Sequence, residues 1–567
     1  MSPNKNIVSV HWLYFGACLF SIGWILPTPF TRWFGFQAEV WIAASSLIAA
    51  MTLLWKRGGQ PWNLPFLVAA LAAVSLIPLL QWWAGSIALD GHVWLCSLYL
   101  VGFALAVWFG FTWERESPGQ CLDALFCAIA LAAIATVCLQ VAQWRGISGW
   151  WLVPANPLRP NGNFGQANLA ATFLCWGLCA IAWFTERRRI PWPLSLALAA
   201  ILLFGIALSN SRTAFLGLII SIALIFLYRK FWNNKRVLWV VAGLALYFLA
   251  CVFVIQWINE NEFEKTVLGA SSLSARLQIW SIAIEAIREK PWFGYGWAQT
   301  YAAQLAVADR LPAFHEPFNS AHNLVLDLIL WNGIPLATLL LGGMGLWLYR
   351  RARAINDAET FILCLFIILI ANHSMLEYPM HYAFFLLPLG WLIGAFEARS
   401  TNQSLMALRL PRSVPLVAVS LMTALLILTE IEYLMVDDAY RIQALKSLNA
   451  TTEPWREPKV RVLGHLVSHL KLEQMDIQQQ GLSPRDLENL ENVALFAPGP
   501  SPMIMVAGTL AMNNQPERAR WWLRRVCKVT SEKACSKVQA NWKAVGEKHP
   551  EIAAIAWANN TDDTKPN

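Results

Sequence analysis

Apolar stretches of about twenty residues recur along most of this chain of 567 residues. A helix of that length crosses a hydrocarbon core of roughly 30 Å, where no water can satisfy an open backbone. The chain is therefore predicted to be an all-α, polytopic transmembrane helix bundle with about thirteen spans. We place these spans near residues 7–27, 37–55, 63–81, 92–112, 120–143, 166–185, 191–209, 211–228, 237–257, 321–349, 359–376, 380–397 and 413–436.

The composition agrees with a membrane protein and excludes an ordinary soluble domain. Of all residues, 57% are hydrophobic and only 14% are charged, which is too few to cover a soluble core of this size. The formal net charge of +8 is explained most simply by cationic loops at the cytoplasmic ends of the spans. No basic face or reading motif accompanies that charge, so we expect a lipid bilayer and no nucleic acid among the partners.

Lysine and arginine alternate in the loops between the spans. If the N-terminus is cytoplasmic, dense clusters such as Arg187–Arg189 and Arg350–Arg353 lie inside, whereas the opposite loops carry little charge. Because cationic loops stay in the cytoplasm, we predict a multi-pass protein of the bacterial inner membrane. An odd number of spans then places the chain after residue 436 in the periplasm, together with the loops 144–165 and 259–321.

The segment 437–567 is polar and long enough to form a periplasmic helical domain, separate from a transmembrane domain over residues 1–436. Its stretch Met503–Val529 reads as a helix with small residues, a break at NNQP and an amphipathic helix. That pattern is typical of a tetratricopeptide-like helical hairpin, and a generic helical domain is the open alternative. Cys527 and Cys535 would face an oxidising compartment, so we predict a disulfide between them.

Polar residues at the outer mouths of the spans are the candidate site residues, because such groups are costly at membrane depth. The segment RPNGNFGQANLAA (159–171) enters a span through a glycine-rich turn and brings an arginine and three amides to its mouth: Arg159, Asn163, Gln166 and Asn168. Backbone N–H groups at a helix start suit an anion. A re-entrant turn with a polar cap is the alternative interpretation.

Two further arginines stand at predicted outer helix starts. Arg212 lies in SNSRTAF between two apolar runs, where outer loops usually avoid cations. Arg276 follows Ser274, which we expect to cap an amphipathic surface helix over 275–288. A guanidinium group matches a phosphate in shape and charge, so both arginines are candidate phosphate ligands. Snorkelling towards lipid headgroups is the alternative for Arg212.

Histidines and a carboxylate complete the set of outward polar groups. His322 ends the long loop, with His315 nearby, and an imidazole can accept a proton from a hydroxyl nucleophile near neutral pH. A lone histidine is also often structural. The run ANHSMLEYPMHY (371–382) places Glu377 and Tyr378 in a short outward turn. A metal site there is an alternative, but the spacing matches no zinc pattern, and we predict none.

Several of these motifs together resemble a known group of enzymes. SNSR, RLQIW with PWFGYGW, and HNLVLDLILWNG resemble the O-antigen ligase and polymerase superfamily, while GNFGQANLAA and HSMLEYPMHY resemble the PglL-type protein O-oligosaccharyltransferases. The resemblance covers about residues 159–382. It implies a GT-C-like fold and a metal-independent transfer, without any cofactor. The glycan would pass from undecaprenyl diphosphate to a Ser or Thr hydroxyl of a pilin-like or other periplasmic protein.

The resemblance also implies roles for individual residues. Arg212 and Arg276 would hold the donor diphosphate, His322 would be the essential histidine, and Gln166 and Tyr378 fall on polar site positions of the family. We hypothesise a single inverting displacement in which His322 takes or orients the acceptor proton. The arginines and the imidazole are expected to meet in one cavity that opens to the outside.

Two other functions fit parts of the sequence. An O-antigen ligase or polymerase would use the same donor with lipopolysaccharide as acceptor, and the outward tail argues for a protein acceptor because it could dock one. A transporter or flippase would also have many spans and intramembrane polar groups. Against it, the polar candidates cluster on one membrane face and no inverted halves are apparent.

Overall fold

The computed structural model describes residues 10–27, 33–231, 236–262, 271–400, 406–477 and 479–557. Almost all regular structure in these ranges is helical. The helices are α1 Val10–Ile22, α2 Phe36–Arg57, α3 Phe66–Val74, α4 Ile77–Trp83, α5 Asp90–Glu116, α6 Gln120–Trp144, α7 Ala167–Glu186, α8 Trp192–Leu208, α9 Arg212–Leu227, α10 Arg236–Glu262, α11 Ser271–Glu289, α12 Thr300–Val307, α13 Leu324–Arg353, α14 Ala358–Ser374, α15 Ala383–Ser400, α16 Ser413–Ser447, α17 Gly464–Gln474, α18 Pro484–Phe496, α19 Pro500–Met512, α20 Pro516–Val526, α21 Glu532–Gly546 and α22 Pro550–Ala553.

Within the described ranges, eight helical stretches are long and apolar enough to cross a bilayer. They are α2, the α3–α4 stretch Phe66–Trp83, α5, α6, α7, Val237–Glu260 of α10, α13 and α16. Three further predicted spans correspond to shorter apolar helices, namely α8, α9 and α14. The all-α, multi-span architecture is confirmed, whereas the count of thirteen spans stays a prediction. The first predicted span begins before the described residues.

The span predicted near residues 63–81 corresponds to the α3–α4 stretch Phe66–Trp83, which begins a few residues later. The start of the predicted span differs. Its first residues form the strand β1 (Trp62–Pro65), which pairs antiparallel with β2 (Met406–Leu410), and the helix that follows is interrupted between α3 and α4. Pro78 stands in the first turn of α4, where its missing N–H costs nothing. The indole of Trp62 is fully buried, so this short ribbon is part of the core.

The described chain divides into two compact units. The first consists of residues 1–74, 99–267 and 343–430. Buried aromatic side chains of α6, α7, α14 and α15 form its centre, for example Phe126 stacked on Phe366 with ring centroids 4.7 Å apart. Gly394 brings α15 against α5, because a Cβ atom at this position would lie 2.1 Å from the Val107 carbonyl oxygen. Small residues of this kind let membrane helices pack closely.

The second unit consists of residues 75–98, 268–342 and 431–567. Helices α19 and α20 form a hairpin around the turn Asn513–Gln515, as the small-residue pattern predicts. Arg525 of α20 is buried and donates from Nε to the Leu305 carbonyl at 2.7 Å, and its Nη2 pairs with Asp309 at 2.7 Å. Burial lowers the pKa of this guanidinium group, and the Asp309 carboxylate opposes that effect.

Arg525 therefore connects the tail (residues 437–567) to the long loop (residues 259–321) within this unit. Whether residues 437–567 fold as a separate domain stays a prediction, and residues 558–567 lie outside the described ranges.

Candidate functional site

The first unit brings together four of the predicted site residues at the start of α7. Gln166 Nε2 donates to the Tyr378 hydroxyl at 3.2 Å, and Asn168 Nδ2 donates to Glu377 Oε1 at 3.1 Å. The Ser211 hydroxyl donates to Asn168 Oδ1 at 2.8 Å. We call these five residues the α7 cluster. It joins three segments that lie far apart in the sequence.

Two arginines adjoin the α7 cluster. Arg159 Nη2 lies 3.5 Å from Asn168 Oδ1. Arg212 is the first residue of α9 and is exposed. Ser211 caps that helix, since its side chain accepts from the Ala214 N–H. An exposed guanidinium beside the free N–H groups of a helix start is a favourable place for an anion.

Asn163 has a different surrounding from the other predicted amides. It is 5% exposed, and its Nδ2 donates to the carbonyls of Ile25 at 2.6 Å and Trp151 at 3.1 Å. Its Oδ1 accepts from the Val153 N–H at 3.0 Å. These bonds use the amide to hold the loop before α7, so Asn163 supports the loop that carries Gln166 and Asn168.

Sequence reasoning missed Gln143, which supports the same loop from α6. Its Nε2 donates to the carbonyls of Val153 at 2.8 Å and Gly162 at 2.6 Å, and its Oε1 accepts from the N–H groups of Asn161 and Gly162, both at 2.8 Å. Gly162 has a φ of 59°, a conformation that glycine adopts without strain. A glutamine inside an apolar run that faces a glycine-rich loop is the signal that could have identified it.

Helix α11 carries Arg276 in the second unit. The predicted helix start at Ala275 is wrong, because α11 begins at Ser271 and Ser274 lies inside it. Arg276 is consequently in the second turn of the helix and half-buried. Two neighbours on α11 hold the loop that leads to His322: Gln278 Nε2 donates to the Ala313 carbonyl at 3.1 Å and Trp280 Nε1 to the Ala321 carbonyl at 3.0 Å.

His322 precedes α13 in a left-handed backbone conformation with φ 52°. Its backbone N–H donates to Ser320 Oγ at 3.0 Å, and Asn323 Oδ1 accepts from the Val325 N–H at 3.0 Å at the helix start. Residues other than glycine seldom adopt such a φ unless their surroundings hold them there. The imidazole is half-buried, so it keeps access to a ligand while its backbone is fixed.

His315 is held by the tail. Its backbone N–H donates to the Lys528 carbonyl at 2.9 Å, and its Nδ1 lies 3.1 Å from the Thr530 carbonyl oxygen. Because a carbonyl only accepts, Nδ1 carries the proton. The structure joins Cys527 to Cys535 by a disulfide, with Cα atoms 5.0 Å apart, directly beside the segment that binds His315.

The predicted site residues thus fall into both units. The α7 cluster, Arg159 and Arg212 belong to the first, and Arg276, His315 and His322 belong to the second. A single cavity that contains Arg212, Arg276 and His322 stays a prediction. Among the described residues, no three His, Cys, Asp or Glu side chains are arranged to hold a metal ion.

Two family models match the chain. Residues 196–341 match the O-antigen ligase family, and residues 361–544 match the C-terminal part of virulence factor membrane-bound polymerases. The many apolar helices and the two matched segments indicate a membrane glycosyltransferase related to O-antigen ligases.

Relatives narrow this class further. A protein of Acinetobacter baylyi named general O-oligosaccharyltransferase is 30% identical over 531 residues, which are 89% of this chain and 90% of the relative. This chain therefore belongs to the O-oligosaccharyltransferase family. The ComP-specific O-oligosaccharyltransferase of the same organism is 28% identical over 44% of this chain and 45% of its own, and the O-antigen ligase of Pseudomonas aeruginosa is 26% identical over 51% and 66%. No solved structure matches the chain.

Proposed function

We propose that this protein transfers an oligosaccharide as one block from undecaprenyl diphosphate to a Ser or Thr hydroxyl of a periplasmic or pilin-like protein. The observation that carries the proposal is the match along nine-tenths of its length to a protein named as a general O-oligosaccharyltransferase. The relative named as an O-antigen ligase aligns with only half of this chain, so lipopolysaccharide is the less favoured acceptor.

The proposed location is the bacterial inner membrane, with the N-terminus in the cytoplasm and the site and C-terminus in the periplasm. The alternation of Lys and Arg clusters in the loops supports this orientation. The Cys527–Cys535 disulfide supports it independently, because structural disulfides persist in oxidising compartments.

The proposed reaction is an inverting, metal-independent displacement. The acceptor oxygen forms a bond to the anomeric carbon while the bond from that carbon to the diphosphate oxygen breaks. His322 takes the hydroxyl proton, and the polyprenyl diphosphate leaves with the bonding electrons. Arg212 and Arg276, assisted by Arg159, stabilise the negative charge that builds on the diphosphate, which is where fixed donors accelerate a reaction most.

The α7 cluster suits recognition of the donor. Its amide, hydroxyl and carboxylate groups offer both donors and acceptors to a sugar or a diphosphate, and the bonds from Gln166 to Tyr378 and from Asn168 to Glu377 hold them in place. Fixed side chains of this kind lose little freedom when a ligand binds.

Replacement of His322 tests the assignment of the proton acceptor. Full-length His322→Ala is expected to lose about two to four orders of magnitude in transfer rate, the usual effect of removing a general base. The assay uses lipid-linked glycan extracted from the producing cells and follows the intact mass of a periplasmic acceptor. His469→Ala, a change in the tail, is the matched control and should retain the wild-type rate. Near-normal transfer by His322→Ala would show that another residue takes the proton.

A chelator tests the metal-independent step in the same assay. Incubation of the wild-type protein with EDTA should leave the rate within about twofold, since neither charge stabilisation by arginine nor proton transfer to His322 needs an ion. Loss of transfer that is restored by added Mg²⁺ or Mn²⁺ would contradict the proposed chemistry.

A further inference from the structure

A buried carboxylate lies next to the loop that presents His322. Asp327 is in the first turn of α13 and only 3% exposed. Its Oδ1 accepts from the Ala321 N–H at 2.7 Å and its Oδ2 from the Ser320 hydroxyl at 2.6 Å. A carboxylate removed from water is costly unless such bonds compensate it. Its position at a helix N-terminus is also electrostatically favourable.

The bonds of Asp327 reach the backbone of His322 through one intermediate. Ser320 donates its hydroxyl proton to Asp327 and accepts from the His322 N–H with the same oxygen, at 3.0 Å. The three residues Ser320, Ala321 and His322 are thus held from one side by a single carboxylate. Both Ser320 and Ala321 are completely buried, so water does not replace these bonds.

The same bonds limit the side chain of His322, because a fixed backbone limits where the ring can point. An acidic residue that orients a histidine base is a recurrent device in acyl-transfer enzymes.

We propose that Asp327 is the positioning residue of His322. It holds Ser320 and Ala321 directly and the left-handed backbone of His322 through the Ser320 hydroxyl, which keeps the imidazole where it can take the acceptor proton. This role rests on the proposed function of His322. The positioning role also explains why an ionisable residue, Asp327, lies in the otherwise apolar run LVLDLILW (324–331). A leucine at this position would fit the helix equally well.

Chemical modification of His322 tests the positioning without any donor or acceptor. Diethyl pyrocarbonate reacts with an accessible imidazole, so its rate at His322, followed by peptide mass spectrometry at one fixed pH, reports how the ring is presented. In full-length Asp327→Asn, the rate is expected to rise about fivefold, because an amide keeps only one acceptor oxygen for the Ala321 N–H and the Ser320 hydroxyl. Glu285→Gln on α11, which removes an equal charge paired with Arg288, should leave the rate unchanged.

A second variant tests the link itself. Ser320→Ala keeps the carboxylate but breaks the link to the His322 N–H, so it should raise the modification rate as Asp327→Asn does. Both Ser320→Ala and Asp327→Asn are expected to lower kcat by about 10- to 100-fold, a usual effect of removing a supporting partner, with the KM for the acceptor within about threefold.

The outcomes are distinguishable. If His322 in Asp327→Asn reacts at the wild-type rate in protein that elutes as the wild type does on gel filtration, the positioning role is wrong. If Glu285→Gln raises the rate equally, the effect is not specific to Asp327. Should Asp327→Asn fail to fold, Asp327→Glu, which keeps the charge and moves it by one methylene, must lower kcat and leave the KM for the acceptor near the wild-type value, or the proposal fails. Transfer retained by His322→Ala would overturn the proposed function and leave the modification result standing.

Discussion

Individual polar side chains in this protein act mainly by holding backbone in place. Gln143 makes five hydrogen bonds to the loop before α7, and Asp327 makes two in the loop before α13. In both cases the supported loop ends at residues that we propose for donor binding or proton transfer. Buried backbone groups need partners, so in irregular loops at membrane depth one side chain replaces the partners that a helix would provide.

Replacement of Gln143 is expected to be more damaging than that of its neighbour Gln140. Gln143→Leu would leave two N–H groups and two carbonyls without partners and should destabilise the protein by about 3 kcal/mol or more. Gln140 donates a single bond, to the Pro160 carbonyl at 3.2 Å, so Gln140→Leu should lower the melting temperature less. Thermal unfolding in detergent, followed by tryptophan fluorescence, measures both. Equal melting temperatures for the two variants would contradict the proposed support of the loop.

His465 predicts a pH dependence of the tail. Burial, together with the neighbouring His92, lowers its pKa from 6.5 to about 3, and its ring packs against Phe496. The unfolded chain therefore binds a proton at a higher pH than the folded chain does. The stability that neutral His465 contributes is present above about pH 6.5 and is lost progressively as the pH falls below it, towards pH 3.

Hydrogen exchange measured by mass spectrometry on residues 464–474 checks this prediction. Exchange in the wild type should rise between pH 7 and pH 5 after correction for the intrinsic pH dependence, and His465→Leu should show no such rise. His469→Gln, on the same helix, is the control and should behave as the wild type does. A similar rise in His465→Leu would assign the effect to another group.

At the scale of secondary structure, long apolar runs were predictable and short interruptions were not. The runs of α6 and α7 begin and end within a few residues of the predicted spans. The strand β1 was missed, because it depends on pairing with β2, more than 340 residues away. The break before α4 was missed as well, although Pro78 in the first turn of α4 marks it. Asp327 was missed among the candidates because its partners, the Ala321 N–H and the Ser320 hydroxyl, belong to a loop, and loop conformation leaves little trace in composition.

The candidate site also has features that the sequence predicts and features that it does not. Motifs identified Gln166, Asn168, Glu377 and Tyr378, which the fold brings together. The motifs did not distinguish Asn163 from these four residues. Its amide bonds to backbone groups of the loop, and the sequence alone does not separate an amide that supports a loop from one that binds a ligand. The start of α11 differs too, because the preference of serine for helix caps favours a start after Ser274, whereas the helix already begins at Ser271.

The disulfide connects two elements, and its removal should loosen both. Cys527 and Cys535 bracket Lys528 and Thr530, whose carbonyls bind the backbone and ring of His315. A crosslink closing a loop of this size contributes about 2–3 kcal/mol by restricting the unfolded chain. The double variant Cys527→Ser/Cys535→Ser is expected to raise hydrogen exchange of residues 310–321 at least tenfold. Exchange of α7 serves as the internal control, and unchanged exchange at 310–321 would separate the disulfide from the loop.

The whole molecule depends on one orientation in the membrane. The lipid-linked donor of the proposed reaction is used where the acceptor is exported, so the segments 271–323 and 437–557 must share the outer side. Positive charge at Arg350, Arg351 and Arg353 at the end of α13 supports the proposed cytoplasmic location of that end, and α16 leads from the last cationic loop to the tail.

Paired fusions test this orientation on the intact chain in cells. Alkaline phosphatase joined after Asn449 should be active and green fluorescent protein at the same position dark, because the phosphatase needs periplasmic disulfides and the fluorophore forms only in the cytoplasm. After Arg353 the result should reverse. This reversal requires that α14, α15 and α16, which lie between the two positions, cross the membrane an odd number of times. Fluorescence after Asn449 would place the disulfide-bonded tail in a reducing compartment, and the carboxylate-supported histidine could no longer meet an exported acceptor.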